Sequence, residues 1–426
     1  MTADGPTPDT GPQARAATLL RRPKLWLLPT ILTGLLALLL SLLYMGGIVN
    51  PQRDLHDLPI ALVNADTGKP LPGQKQNLGT QISSAITADT SSETAEWRTL
   101  TRAQAQDELA SDKVYGALVI PPDFTDSVAA LTTAKATERP VITVLTNPAK
   151  GSLGSSLASK ITTTAAQQAS LTIGRQLATA AAGADSTQKL LLADPIAVTT
   201  QVGHPLGDHS GLGLSSFYYT LLLVLAGFIG ANVISNGVDT ALGYADNEIG
   251  PWHTRRPTVP INRTQTLLLK MAMTASITVL SVSLVMLACV SVLGMDATHI
   301  PLLWIYSYCA CLAVGIGVQA INAAFGGIGQ LVSMFVFIVL GLPSSGATVP
   351  LQAVPTFYRF LSHFEPMRQL SDGVRAILYF DARGDAGLTR AWVMIAIGAV
   401  IGLLFGFAMT AYYDRKGHKR LTPQPA

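Results

Sequence analysis

Charged residues are scarce in this chain of 426 residues. Only 13% of the residues are Asp, Glu, Lys or Arg, whereas soluble domains carry about 25%. Hydrophobic residues make up 49% of the chain, and long runs without charge alternate with polar stretches. Runs of ~20 apolar residues are typical of helices that cross a bilayer. The net charge of +3 and the lack of a basic stripe argue against nucleic acid as a partner.

Cysteine is nearly absent as well. The three cysteines are Cys289, Cys309 and Cys311, and all of them lie inside apolar runs. The long polar stretch between residues 50 and 213 therefore has no disulfide to stabilise it, so it must fold on its own hydrophobic core.

Catalytic and cofactor-binding signatures are also missing. The chain contains no Gly-x4-Gly-Lys-Ser/Thr loop for ATP phosphates, no His-Glu-x2-His zinc motif and no Gly-x-Ser-x-Gly nucleophile turn. We therefore expect neither an enzyme nor a protein that holds a metal or another cofactor.

Apolar runs predict an α-helical polytopic membrane protein with about six spans. The runs are Leu25–Ile48, Leu214–Ile234, Met271–Leu293, Pro301–Asn322, Ile328–Leu342 and Trp392–Tyr413. The first run, the span 25–48, has no Ala-x-Ala site, which favours an uncleaved signal anchor; a cleaved signal peptide is the alternative. None of the runs has an ionisable residue well inside it, which argues against a carrier driven by protons or ions.

The positions of lysine and arginine predict the orientation. Basic residues are concentrated in the N-terminal tail 1–24, in the loop between the second and third runs, and in the C-terminal tail 414–426. Six spans place these three segments in the cytoplasm, in a multi-pass protein of the cell membrane. Residues 49–213 then lie outside the cytoplasm, and residues 214–413 form a membrane domain of five spans.

Residues 49–213 are predicted to form a large extracytoplasmic α/β domain between spans one and two. Runs rich in Val and Ile predict the strands Leu58–Asn64, Val114–Ile120, Val141–Thr146 and Ile196–Val202. Helical periodicity predicts the helices Gln74–Ala88, Thr101–Ser111 and Asp123–Leu131. A further periodic stretch, residues 153–171, predicts a long helix that either forms a stalk or dimer contact or packs on its own sheet.

Residues 344–390 form an outer amphipathic segment, with apolar residues every three or four positions and arginines between them. We interpret this segment as two helices broken at Pro366 that lie at the interface between lipid and water. The candidate gate or lipid-contact residues are Phe364, Arg368, Asp372, Val374 and Arg375. The alternative is a structural collar.

The loop from Ser235 to Thr266 is the largest predicted cytoplasmic surface. It is polar and rich in proline, and a cytoplasmic partner would dock there. The candidate contacts are Glu248, Gly250, Arg255 and Arg256. A solvated loop whose arginines only fix the topology is the alternative.

Three glycines repeat every four residues in the last span: Gly398, Gly402 and Gly406. Because glycine has no side chain, this spacing lets a second helix approach closely. The second helix belongs either to the same chain or to a second copy in a homodimer.

Four segments together resemble the phage-infection-protein group (YhgE/Pip) and related membrane proteins of type 2 ABC exporter permease architecture. They are residues 58–68 (LPIALVNADTG), 115–124 (YGALVIPPDF), 341–347 (GLPSSGA) and 366–375 (PMRQLSDGVR). The last part of the chain is also similar to fungal nitrosoguanidine-resistance membrane proteins. The resemblance extends over residues 25–413 and implies one span, a large outer domain and then five spans.

In permeases of this type the loop between spans two and three contacts a separate ATPase, and Glu248, Gly250, Pro260 and Lys270 loosely resemble that loop. The resemblance implies a permease-like subunit that exports lipophilic or cell-envelope compounds, works as a dimer in the lipid bilayer and is energised by an ATPase. The alternative is a non-transporting envelope protein, either a surface receptor or a scaffold of a secretion apparatus.

Overall fold

The computed structural model describes residues 21–88, 94–131, 139–180, 191–254, 256–418 and 420. The first helix, α1, is Pro23–Gly46, and an α/β domain follows it. A bundle of long apolar helices forms the second half of the chain. The order of the elements thus matches the predicted order of one apolar helix, an α/β domain and a helical bundle.

Five strands of the α/β domain form one mixed sheet in the order β2-β1-β3-β4-β5. They are β1 Leu58–Asn64, β2 Ala95–Thr99, β3 Gly116–Ile120, β4 Val141–Thr146 and β5 Ala197–Val202. Strand β1 is parallel to β2 and β3, β4 is antiparallel to β3, and β5 is parallel to β4. All four predicted strands are therefore confirmed. Strand β2 was not predicted, because its only large apolar residue is Trp97 and its exposed residues give no hydrophobic run.

Helices cover both faces of this sheet. They are α2 Leu78–Ala88, α3 Arg102–Ala110, α4 Phe124–Ala130 and α5 Ser152–Ala180. Helix α3 packs on the face that carries Ala61 and Val63, while α2, α4 and α5 pack on the face of Leu62 and Leu118. Helix α5 buries Ala166 against this second face, which confirms the alternative in which the long periodic helix packs on its own sheet.

Asp66 follows β1 and holds two helix starts together. Its carboxylate accepts hydrogen bonds from the backbone N–H groups of Gly79 in α2 (2.9 Å) and Thr125 in α4 (3.2 Å), and from the Thr125 hydroxyl. A carboxylate at a helix N-terminus satisfies free N–H groups and complements the helix dipole. The segments around residues 64–68 and 121–125 are therefore joined in space.

Five apolar helical segments in the described part of the chain are long enough to cross a membrane, so the chain is a multi-pass membrane protein. The first lies in α1; the others are α6 Ser215–Ala241, Arg263–Val292, Ile300–Ser344 and α12 Leu388–Arg415. The third comprises α7 Arg263–Met286 and a π-helical end, Leu287–Val292.

The fourth segment is a hairpin and accounts for two of the predicted runs. Helix α8, Ile300–Phe325, ends at Gly326, whose φ of 60° turns the chain back. Helix α9, Gly329–Met334, continues through the π-helical stretch Phe335–Val339 and the turn Gly341–Ser344. Gly329 lies against Asn322 and Phe337 lies against Gly317, so the two arms are antiparallel.

Helix α8 lies at the centre of the bundle, between α6, α7 and α12. Tyr219, Leu223, Tyr306 and Val314 belong to the buried core of these helices. Helix α1 lies at the edge with most of its side chains exposed. It is attached where the Tyr358 hydroxyl donates to backbone carbonyls near the end of α1.

The connections between the helices differ from the predicted ones. Helix α6 extends to Ala241 and α7 begins at Arg263, so the predicted loop 235–266 is shorter than expected. It contains a small hairpin of β6 Asn247–Ile249 and β7 Trp252–Thr254. The segment 344–390 contains α10 Thr356–Leu361 and α11 Pro366–Tyr379, which confirms a helix pair interrupted just before Pro366.

Candidate functional site

A buried set of charges joins α11 to the α/β domain. This interdomain cluster consists of Asp112, Lys150, Arg368, Asp372 and Arg375. The Arg375 guanidinium lies 2.6 Å from the Asp372 carboxylate and 3.4 Å from that of Asp112, and it donates to the Lys150 carbonyl (3.1 Å). The Lys150 ammonium lies 3.4 Å from the Asp112 carboxylate, and the Arg368 guanidinium lies 3.6 Å from that of Asp372. Two aspartates are thus shared among three cations.

Burial dominates the electrostatics of the interdomain cluster. Burial lowers the pKa of Lys150, although the nearby Asp112 opposes the shift. Burial also lowers the pKa of Arg368, with Asp372 again acting in the opposite direction. For Arg375 burial disfavours the charge, but Asp112 and Asp372 outweigh it and raise the pKa. Among the three cations, Arg375 is therefore the one whose charged form the cluster stabilises most.

A cavity of about 550 Å³ lies beside the interdomain cluster, between the α/β domain and the start of α12. Arg390 and Thr389 of α12 also line it. Two exposed ion pairs cross the same boundary: Arg383 with Asp107 (2.9 Å) and Lys113 with Asp385 (3.0 Å). The α/β domain is therefore fixed to the bundle at several points around a polar cavity.

The predicted lipid-contact role is wrong for Val374 and Arg375. Val374 is fully buried and Arg375 is 8% exposed. Arg368 and Asp372 face the interdomain cluster instead of lipid headgroups. The physical reason is that the apolar face of α11 packs on α6 and α12, while its charged face meets Asp112 of the α/β domain. Only Phe364 is free to contact lipid, because 69% of it is exposed. A gating role for these residues stays a prediction.

Glu365 is a buried acid that sequence reasoning missed. It is 3% exposed, caps α11 by accepting a hydrogen bond from the Arg368 N–H (3.0 Å), and has one carboxylate oxygen without a partner. Burial raises its pKa to about 8. The available signal was local: proline is common at the first position of a helix, so Pro366 predicts that Glu365 is the N-cap residue.

A second polar site lies inside the bundle, in a cavity of about 300 Å³. This bundle cavity is lined mainly by polar side chains from the ends of α6, α7, α8 and α12, among them Asn232, Asp239, Lys270, Gln319, Asn322 and Thr410. The Lys270 ammonium lies 2.9 Å from the Asp239 carboxylate, which Arg420 also binds at 2.6 Å and 2.8 Å. The Asn322 amide donates to the Asn232 side chain at 2.9 Å.

The bundle cavity corrects one expectation from the sequence. The apolar run Met271–Leu293 predicts that Lys270 lies at the end of the preceding loop, just outside the third span. Because α7 begins at Arg263, Lys270 lies about 10 Å along the helix and is buried. An ionised pair therefore lies within the helical bundle, formed by residues on two helices that no single apolar run could reveal.

The predicted partner loop is only partly described. Glu248 and Gly250 lie in the β6–β7 hairpin, where Gly250 has a φ of 58°. Arg256 is exposed, and Arg255 lies outside the described residues. None of the described members of this set lines the bundle cavity. Docking of a partner on this loop stays a prediction.

The three glycines of α12 have different surroundings. A Cβ added at Gly402 would lie 3.1 Å from Ile316, and one at Gly406 would lie 3.0 Å from Ala320, both on α8. Packing within the chain is therefore confirmed for these two. Gly398 is exposed, and a Cβ there would meet no atom of the described residues within 4 Å. A homodimer seam stays a prediction.

Comparison with known proteins gives one match. No curated protein and no solved structure matches the chain. The match is to a protein family whose model covers residues 29–398, from the first apolar helix into α12. Since this range includes the α/β domain, the interdomain cavity and most of the bundle, the chain belongs to the family described as "Protein of unknown function (DUF3533)".

Proposed function

We propose that the chain is a permease-like membrane subunit that exports lipophilic or cell-envelope compounds. The supporting observation is a pair of polar cavities at opposite ends of one apolar bundle. The interdomain cavity is lined by Arg390 near the start of α12, and the bundle cavity is lined by Thr410 near its end. Twenty residues of helix extend over about 30 Å, which is also about the thickness of the hydrocarbon core of a bilayer.

The bundle between the two cavities is closed by apolar packing. Leu223, Val224 and Val314 are buried there, and the Tyr219 hydroxyl bonds to that of Ser307 at 2.8 Å. Polar cavities at both ends of a closed bundle suit a permease whose central helices move apart during transport. A molecule with a polar head and an apolar body matches the polar cavities and the apolar helices between them.

The orientation follows from the basic segments. The bundle cavity lies at the end of the bundle that also carries Arg263, Arg415 and Lys416. Under the positive-inside rule this end faces the cytoplasm. The hairpin of α8 and α9 supplies two crossings, which gives six crossings and puts the α/β domain outside the cytoplasm. Compounds would then enter at the bundle cavity and leave beside the interdomain cluster.

We further propose that a separate ATPase supplies the energy. The resemblance to type 2 ABC exporter permeases supports this, and the β6–β7 hairpin offers an exposed surface with Glu248 and the exposed Trp252. The hairpin lies between α6 and α7, and both helices line the bundle cavity. A partner that moved the hairpin could therefore alter the cavity.

A non-transporting envelope protein is the second candidate. The ion pairs that fix the α/β domain to the bundle favour it, since a receptor or scaffold needs a rigidly held outer domain. Such a protein would not need a polar cavity at the opposite end of the bundle.

Purification under mild conditions from native membranes tests the ATPase proposal. We expect an ATPase to co-purify with the wild-type chain and to be lost in Glu248→Lys. The control is Glu96→Lys, which alters an exposed acid on β2 of the α/β domain. Absence of any ATPase from the wild-type preparation would contradict this part of the proposal.

A further inference from the structure

The α/β domain contains a third cavity, of about 650 Å³, between α2, α5 and β2. We call it the α5 groove. Its floor is apolar and includes Leu55, Ile82, Trp97, Leu157, Ile161 and Ile173, all of which are buried or half-buried. Its volume falls in the range of about 300 to 1,000 Å³ that is typical of small-molecule sites.

The rim of the groove is polar. Gln81 lies on the α2 side, and Thr164, Gln168 and Gln176 lie on the α5 side. Lys160 is the only charged residue among the described lining residues. An apolar floor below a polar rim suits a ligand with a hydrocarbon body, and a single lysine suits one anionic head.

The groove begins close to the membrane-spanning part of the chain. Leu55 at its near end follows α1 by nine residues and packs with Leu157 and with Ala353 of the segment after α9. From Leu157 to Ile173 helix α5 extends for about 24 Å. The groove therefore leads from the boundary of the bundle into the α/β domain.

We propose that the α5 groove binds the hydrocarbon chain of a single-chain amphiphile whose anionic head pairs with Lys160. A hydrocarbon chain can lie within the groove, whereas a helix from a second copy could only cover its mouth. A helix with its side chains is about 10 Å wide, so 24 Å of it has a volume of roughly 1,900 Å³, about three times that of the cavity. The proposal does not depend on export, because a receptor or a scaffold could hold the same ligand.

Photolabelling of the full-length chain tests this proposal. The chain is placed in phosphatidylcholine nanodiscs with hexadecanoic acid that carries a photoreactive diazirine near its methyl end. We expect labelled peptides from residues 81–86 and 157–176, in addition to membrane helices. Ala165→Trp, which fills the groove, should reduce that labelling at least ten-fold. Leu171→Trp is the control, since Leu171 is exposed on α5 outside the groove and should leave the labelling unchanged.

A second comparison tests the role of Lys160. Lys160→Ala should reduce labelling by the acid several-fold and leave labelling by the matching uncharged hexadecanol probe unchanged.

Labelling of the wild-type chain confined to the membrane helices would overturn the proposal, and this result needs no variant. Equal loss in Ala165→Trp and Leu171→Trp would also overturn it. So would a disulfide between two copies in most Gln168→Cys molecules, which would show a second copy over the groove.

Discussion

Arg375 on α11 pairs with Asp112 of the α/β domain across a distance of 3.4 Å, and both side chains are buried. The two residues are far apart in the sequence and belong to different parts of the fold. Because Arg375 also binds Asp372 on its own helix, α11 cannot move far without breaking charged contacts. Movement of the α/β domain is therefore coupled to α11, and through α11 to α6 and α12.

The first prediction concerns this coupling. Arg375→Met should destabilise the protein by about 3 to 5 kcal/mol, because it leaves Asp112 and Asp372 buried without their main partner. Arg383→Met is the control. It breaks partly exposed ion pairs, one of them with Asp107, which should cost about 0 to 1 kcal/mol each. Thermal unfolding in nanodiscs measures both, and equal effects would contradict the role of the interdomain cluster.

The second prediction concerns pH and Glu365. Its pKa of about 8 in the folded protein lies above the ordinary value of 4.5. Folding therefore favours the protonated carboxyl group, and this stabilisation is complete below pH 4.5 and is lost as the pH rises through 8. We expect the free energy of unfolding to fall over this range, by up to roughly 1.4 kcal/mol per pH unit, and the Tm to fall with it. In Glu365→Gln, which keeps an oxygen to cap α11, the fall should be much smaller. Glu96→Gln should behave as wild type, and an unchanged slope in Glu365→Gln would contradict the assignment.

The third prediction separates two residues that the amphipathic pattern treats alike. Val374→Glu would bury a charge in the core of the bundle, so the variant should be absent from the membrane fraction. Phe364→Glu should accumulate normally, because Phe364 is exposed and its ring lies against those of Phe360 and His363 on the same surface. Quantitative blotting of membranes measures both variants. If the two accumulate equally, the placement of α11 is wrong.

Sequence patterns predicted the elements well where burial alone determines them. Strands β1 and β4 begin and end where the Val- and Ile-rich runs do, because one continuous apolar run identifies each strand. The pattern of α11 also identified its buried face, but not what covers it. Its arginines were assigned to lipid headgroups, while their partner Asp112 lies in another part of the chain and is not visible in any local pattern. The same limit hid the Asp239–Lys270 pair, which forms only when α6 and α7 pack together.

The fourth prediction concerns topology. Gln167 is exposed on α5, and Trp252 is exposed in the β6–β7 hairpin. In a background without the three native cysteines, Gln167→Cys should react with an impermeant maleimide on intact cells. Trp252→Cys should react only after the cells are opened. Reaction of Trp252→Cys on intact cells would contradict the proposed orientation with six crossings.

Export itself is the central claim, and an analysis of amphiphiles in native cells tests it most directly. Cells that lack the chain are compared with cells complemented by wild type or by Gln319→Leu, which removes a buried amide from the bundle cavity. Leu404→Gln, on the exposed face of α12, is the matched control for a change between amide and apolar side chains. With equal membrane abundance, at least one lipophilic or envelope compound should accumulate inside cells that lack the chain or carry Gln319→Leu. It should return to the normal level with wild type and Leu404→Gln. If the four strains do not differ in the amount of any amphiphile inside or outside the cells, export is contradicted. The envelope scaffold is then the better explanation.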